Sequence, residues 1–240
     1  MTILPPDFGQ RIETDHHMLI IIEGIDGAGK HTQTQLLKAR LEADGRSVGT
    51  LAFPRYGKTR MALAAADYLN GKFGDISASP PQFPALLFAG DRLESKGLMD
   101  ELLAANDVLL IDRYVPSNMA HQAAKAPAEE RAALIEWIAG IEYDVYGLPL
   151  PDLTFYLDVP TKTSADLIAR KAPRSYTDAK ADLHEKDTDY LTTTRAAYDL
   201  VGATNYGGEW VRITCVDEHQ HILPPQHIHD AMWQALQGRL

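Results

Sequence analysis

Cysteine is almost missing from this sequence: Cys215 is the only one. A single thiol can close no intrachain disulfide and build no multi-cysteine metal site, which fits a reducing cytoplasm. Long apolar runs are missing too. None approaches the ~18 residues that a membrane span requires, and the N-terminus lacks a basic flank ahead of an apolar stretch, so neither membrane insertion nor secretion is indicated. Positive charge is scarce, with 23 Lys and Arg against 33 Asp and Glu and a formal net charge of −10. Phosphate backbones are gripped by basic stripes, so no nucleic-acid partner is expected, and an anionic small substrate would need a locally cationic pocket. No internal repeat or low-complexity tract interrupts the chain. The 240 residues, 45% hydrophobic and 23% charged, suffice for a substantial core in one domain.

Against this background one stretch stands out. The apolar run Met18 to Ile22 leads into Glu23-Gly24-Ile25-Asp26-Gly27-Ala28-Gly29-Lys30-His31-Thr32, and a helical pattern follows. A strand that ends in Gly-x-x-x-x-Gly-Lys and feeds a helix turns successive backbone N–H groups inward, and the helix start adds unpaired donors and partial positive charge. This is a phosphate cradle. Gly24, Gly27, Ala28, Gly29, Lys30, His31 and Thr32 are its expected ATP-binding residues. It departs from the usual pattern at His31, where Ser or Thr would present a hydroxyl to Mg²⁺.

Residues 1–17 precede the first clear strand and are expected to be a mobile N-terminal extension to a domain spanning 18–240. Leu36, Leu37 and Leu41 recur at helical spacing, predicting a helix over Lys30–Ala43 that stops at Gly45. Ser47–Phe53 alternates as a second strand and ends at Pro54. Helices are expected over Thr59–Asn70 and from Pro80 to about Ala105, with Gly97 weakening the second, and Phe88 and Arg92 on one face. Val108–Asp112 is a third strand ending in Asp112-Arg113-Tyr114. Further helices are expected at Ser117–Ala124, Ala128–Tyr143, Thr161–Lys171, Tyr190–Val201 and Pro225–Gln237, with strands at Asp152–Asp158 and Trp210–Val216. Between about 170 and 186 the pattern turns polar, as in a mobile lid. The alternation predicts an α/β three-layer fold: five parallel strands, helices on both faces, and ligands at the strand carboxyl ends. His219, His221, His227 and His229 read as polar surface histidines rather than a metal site.

Taken together, three ordered motifs resemble the thymidylate kinases, a nucleoside-monophosphate kinase family of the P-loop class. They are Glu23-Gly-x-Asp26-Gly-x-Gly-Lys30, Phe53-Pro54-Arg55, and Asp112-Arg113-Tyr114-x-x-Ser117-x-x-Ala120-x-Gln122; the spacing of Phe88 and Arg92 adds a fourth. The resemblance implies transfer of the ATP γ-phosphoryl group to dTMP, giving dTDP and ADP, with Mg²⁺ required and a homodimer as the assembly. It implies catalytic roles for Lys30 on the donor phosphates, Arg113 with Arg55 on the acceptor phosphate, Asp26, and a lid cation, Arg174 ahead of Arg170. Asp26 would contact the sugar 3′-hydroxyl or the acceptor's phosphate and metal environment. Phe53 belongs to the acceptor site, Phe88 would stack on the thymine, Arg92 would bond a base carbonyl, and Asn118 or Ser117 would complete that edge. His121 stands where the family often has a tyrosine that excludes a ribose 2′-hydroxyl. Asp26, Asp112 and Glu185 are the expected metal-side acids, acting directly or through water. Rival readings are a P-loop kinase for another nucleotide or nucleoside, a nucleotide-binding switch, and a catalytically weakened relative.

Overall fold

A computed structural model describes residues 17–75, 78–169 and 188–239. The first strand, β1 (Met18–Glu23), pairs in parallel with β3 (Val108–Asp112) on one side and β4 (Leu153–Asp158) on the other. β2 (Val48–Ala52) lies outside β3 and β5 (Glu209–Thr214) outside β4, again in parallel, giving the order β2-β3-β1-β4-β5. The neighbours of β1 in the sheet are thus not its neighbours in sequence. Such a switch point opens a crevice at the strand carboxyl ends, where the phosphate loop follows β1.

Period-two alternation assigns the strand side chains to two cores. Leu19 and Ile21 join Leu109, Ile111 and Tyr156 on one face, whereas Ile20 and Ile22 join Leu110, Phe155 and Leu157 on the other. The second face is covered by α1 (Lys30–Ala43) and α9 (Pro225–Leu236) through Leu37, Leu41, Met232 and Leu236. The first is covered by α3 (Gln82–Glu94), α4 (Lys96–Ala105), α5 (Val115–Ala123), α6 (Arg131–Ala139) and α8 (Thr188–Gly202). α2 (Arg60–Leu69) packs on α3, and α7 (Thr161–Ala169) follows β4. The expected three-layer α/β architecture is therefore observed. No helix among the described residues is long and apolar enough to cross a membrane.

Three expectations need correction. The helix expected from Pro80 to Ala105 is two helices, and the break falls at Ser95 rather than Gly97. The Ser95 hydroxyl donates to the Asp91 carbonyl at 2.8 Å, a back-bond that competes with continued helix. The helix expected over Ala128–Tyr143 begins as a 3₁₀ turn at Ala128–Glu130 and gives way to a π turn at Gly140–Val145, closed by Tyr146 N–H donating to Ile141 O at 2.9 Å. That wide turn holds Glu142 fully buried. Finally, His229 is buried on α9 while His219, His221 and His227 are exposed, because its position on the helix faces α1 and the sheet. The expected lid, with Arg170, Arg174 and Glu185, and the expected extension except His17 lie outside the described residues.

Candidate active site

The phosphate loop is shaped by backbone conformations that few side chains tolerate. Gly27 sits at φ 80° and Gly29, which caps α1, at φ 88°. A Cβ on Gly27 would lie 2.8 Å from the carbonyl oxygen of Ser164, so α7 abuts the loop with no room for another atom. Ser164 also donates its hydroxyl to the Asp26 carbonyl. α1 then starts at Lys30, and its first intrahelical donor is Gln33 N–H to Gly29 O at 3.0 Å. The preceding N–H groups of that turn are the donors a phosphate can use.

Lys30 folds back into the loop. Its ammonium donates to the carbonyls of Gly24 and Ile25, each at 2.9 Å, and the side chain is buried. Burial first, then the nearby Arg113 charge, lowers its pKa to about 7, against the opposing pull of Asp26, Asp112 and Glu23.

Arg113 is the hub opposite Lys30. It follows β3 with φ 65°, in the left-handed region a non-glycine residue rarely occupies. Its N–H donates to Ile22 O at 3.1 Å, which ties the turn to β1. The guanidinium pairs with Asp26 at 2.5 Å and reaches Ser117 Oγ and His121 Nε2, both at 3.2 Å. Burial works against this charge, but Asp26 and the other surrounding groups hold its pKa above the ordinary arginine value.

Behind this layer lies Glu23, fully buried at the end of β1. It accepts from Tyr114 N–H at 2.8 Å, Ser117 N–H at 3.1 Å, Ser117 Oγ at 2.5 Å and the Tyr198 hydroxyl at 2.9 Å. Burial pushes its carboxyl pKa up, opposed by those same donors and by Arg113. Glu23 thereby fastens the start of α5 to β1 and α8.

At the far end, Arg92 and Glu142 form a buried pair. Arg92 donates through Nε and, at 2.7 Å, through Nη2; Asn118 Nδ2 adds a 2.8 Å bond to the same carboxylate and a 3.0 Å bond to Ala85 O. Among the described residues Nη1 of Arg92 has no hydrogen-bond partner, and Arg92 lines the cavity. That cavity, about 310 Å³, runs from Asp26, Lys30 and Arg113 to Phe53, Phe88, Arg92 and Asn118. Ser117, His121, Asp112 and His31 also line it. Phe88 is only partly buried, at the wall where the expected face pairing with Arg92 places it.

Arg55 lines an adjoining cavity that shares His31, Ala52, Pro54, Tyr56 and Asp112 with the first. Its Nη1 donates to Ser95 Oγ at 2.9 Å, and its N–H donates to buried Asp91 at 2.8 Å. Thr32 is exposed on α1 and lines neither cavity, so it does not stand in for the hydroxyl missing at His31. Gly24 and Ala28 are buried in the loop, beneath the cavity rather than in its wall.

For a divalent cation the fit is partial. Asp112 faces both cavities and makes no side-chain hydrogen bond among the described residues, leaving hard oxygen donors available. No cluster of three potential ligands occurs among those residues. That set suits Mg²⁺, which keeps several waters and takes few protein carboxylates alongside substrate phosphates, and would not cage a cation alone.

Sequence reasoning missed Glu142, Ser95, Tyr190 and Tyr198, none of which carries a local motif; Asp91, one position before Arg92 on α3, had no role assigned. Glu23 and Gln122 stood inside the recognised motifs but had no role assigned.

The thymidylate kinase family model matches residues 22–218. A thymidylate kinase of Mycobacterium tuberculosis is 39% identical over 194 residues, covering 81% of this chain and 90% of that protein. One from Bifidobacterium longum is 30% identical over 226 residues, covering 92% and 96%. Among solved structures, a thymidylate kinase from Candida albicans superposes with a TM-score of 0.69 at 20% identity, covering 93% of this chain and 92% of that one, a likeness of fold. The matched span contains the phosphate loop, the Arg113 hub and the Arg92–Glu142 pair in a single frame, and the chain belongs to the thymidylate kinase family.

Proposed function

We propose that this protein transfers the γ-phosphoryl group of ATP to dTMP, releasing dTDP and ADP. The observation that carries the reading is the joining, in one cavity, of a phosphate-loop lysine to two guanidinium-bearing residues and an aromatic wall. Family membership supports these substrates, and the residues lining the cavity support the way of holding them described below.

The transferred group passes through a loose transition state whose charge spreads over its oxygens, so the protein's work is positioning and charge neutralisation. ATP phosphates enter the loop and accept from the first N–H groups of α1. Lys30 exchanges the Gly24 and Ile25 carbonyls for phosphate oxygens, and its ammonium gains negative partners. An oxygen of the dTMP phosphate attacks the γ-phosphorus while the bond to the β–γ bridging oxygen breaks and ADP departs. Arg113 holds the acceptor phosphate, with Arg55 approaching from the adjoining cavity; guanidinium forks suit two phosphate oxygens at once. Asp26 keeps Arg113 oriented and sits beside the acceptor. Phe88 offers a stacking face for thymine, and Arg92, steadied by Glu142, directs Nη1 at a base carbonyl beside Asn118. Arg174 supplies a further cation to the transition state.

Mg²⁺ bound with ATP would neutralise β- and γ-oxygen charge. Asp112, Asp26 and Glu185 are the residues that would hold it, through water where they do not reach it directly. A cytoplasmic homodimer is the assembly and location that accompany this reading. The test is steady-state phosphorylation of dTMP, dUMP, UMP and thymidine by ATP; preference for any acceptor other than dTMP would displace it.

A further inference from the structure

His121 is hydrogen-bonded at both ring nitrogens, and those bonds decide where its proton sits. Nη1 of Arg113 lies 3.2 Å from Nε2. A guanidinium can only donate, so Nε2 must present its lone pair, and the single N–H of a neutral imidazole is on Nδ1. Nδ1 lies 3.0 Å from the Tyr190 hydroxyl, whose own hydrogen goes to the His121 carbonyl oxygen at 3.2 Å. The ring is thus locked between α8 and the acceptor-side guanidinium.

The consequence falls on Arg113. Of its five N–H groups, both on Nη1 are taken, by Ser117 Oγ and His121 Nε2, and one on Nη2 is taken by Asp26. Among the described residues the Nε–H and one Nη2–H have no partner, the number of donors a bidentate phosphate contact uses. Ser117 Oγ gives its hydrogen to Glu23 and lies beside the Tyr198 hydroxyl, so the second Nη1 acceptor is the His121 lone pair, in a ring held by Tyr190 of α8.

We infer that His121, kept in its Nδ1–H tautomer by Arg113 and held in place by Tyr190, is a positioning residue for Arg113 and sets which of its donors face the acceptor phosphate. The inference rests on the proposed dTMP kinase reading for its kinetic consequence, but not for the tautomer. The groups around the ring are Arg113, with Asp26 and Lys30 from the phosphate loop, Lys125 beyond α5, and Tyr190 and Tyr198 from α8. Burial foremost, then Arg113, lowers the imidazole pKa well below the usual histidine range, with Asp26 opposing and Lys30 and Lys125 adding to the fall. The lone pair on Nε2 is therefore kept at neutral pH. A protonated ring would instead set an N–H against the guanidinium.

Long-range ¹H–¹⁵N spectra of the full chain, with His121 assigned by its loss in H121N, report the tautomer directly. The expected spectrum has the proton on Nδ1 at about pH 6 and about pH 7, where a free histidine is partly protonated. Kinetics separate position from mere packing. His121→Asn can serve only the Nδ1 site and should raise KM for dTMP about tenfold, with KM for ATP unchanged; His121→Gln extends an amide oxygen towards the Nε2 site and should recover it to within about threefold. Tyr190→Phe removes the acceptor on Nδ1; the proton should stay on Nδ1, because Arg113 still requires the Nε2 lone pair, and KM for dTMP should rise as the ring loses its hold on α8. A proton on Nε2 in the unmodified protein, or equal KM values for the Asn and Gln variants, would overturn the inference. If dTMP is no substrate, the spectra still decide the tautomer and the kinetic arm is run on the acceptor that is used, so failure of the functional reading is distinguishable.

Discussion

Replacing Glu142 by alanine removes one half of a pair that has almost no contact with water: the Arg92 and Glu142 side chains are 3% and 0% exposed. The guanidinium would lose the acceptor for both Nε and Nη2, and Asn118 would lose its 2.8 Å carboxylate bond. Breaking a buried pair by deleting one partner costs about 3–5 kcal/mol, because the remaining charge is stranded in a poorly polarisable interior. For a chain of this size each kcal/mol lowers Tm by about 2–4 °C, so E142A should melt roughly 6–20 °C below the unmodified protein. Circular dichroism melts and urea titrations measure both quantities. The double variant R92M/E142L supplies the control: it removes both charges with similar apolar volume and should recover most of the lost stability. It should not recover dTMP binding, since Nη1 of Arg92 is gone. A fall of less than about 1 kcal/mol in E142A would instead mean that Arg92 does not depend on Glu142 and is already satisfied by water or another residue.

Other perturbations follow from the same geometry. The Lys30 pKa of about 7 lies far below the ordinary 10.5, so between those values the unfolded chain binds more protons than the folded one. Stability should then rise with pH from about 7 towards 10, the cost of burying the ammonium being fully present below 7, and K30M should flatten that slope. ATP binding near pH 8 should take up protons as phosphates raise that pKa, measurable by calorimetry in buffers of different ionisation enthalpy. Gly27→Ala places a Cβ 2.8 Å from Ser164 O at φ 80°; a penalty of about 1–2 kcal/mol for the left-handed backbone alone, and a loss of ATP affinity of tenfold or more, should appear in melts and titrations. His31→Ser restores the hydroxyl that the loop lacks. With Asp112 open to both cavities, Mg²⁺ dependence should change less than about threefold; a large gain in metal affinity and rate would show that the hydroxyl matters.

The strands and the phosphate loop were legible because their signals are local. A short apolar run or an alternating stretch, a glycine pattern and a helix start each fit within about ten residues, and Lys30–Ala43 forms a helix over its expected span. The supporting residues were not legible, for a physical reason. Glu142 meets Arg92 across 50 positions of sequence, and only the π turn after α6 carries it inward. Tyr190 reaches His121 across 69 positions, and its hydroxyl carries no pattern of its own. The break at Ser95 was hidden because a serine back-bond to Asp91 leaves no periodic trace, whereas Gly97, the conspicuous residue, continues the helix. Arg113 shows the intermediate case. Its place after β3 was readable, but its left-handed backbone and its pairing with Asp26 required the folded chain.

The proposed function requires the cavity between Lys30, Arg113 and Phe88 to take ATP and dTMP together. Its most direct test is quantification of dTDP and ADP formed from ATP and dTMP by the purified chain, with K30M as the inactive control. Equimolar dTDP and ADP are expected, with kcat/KM for dTMP exceeding that for dUMP, UMP and thymidine. ADP release without dTDP, or faster turnover of another acceptor, would contradict it.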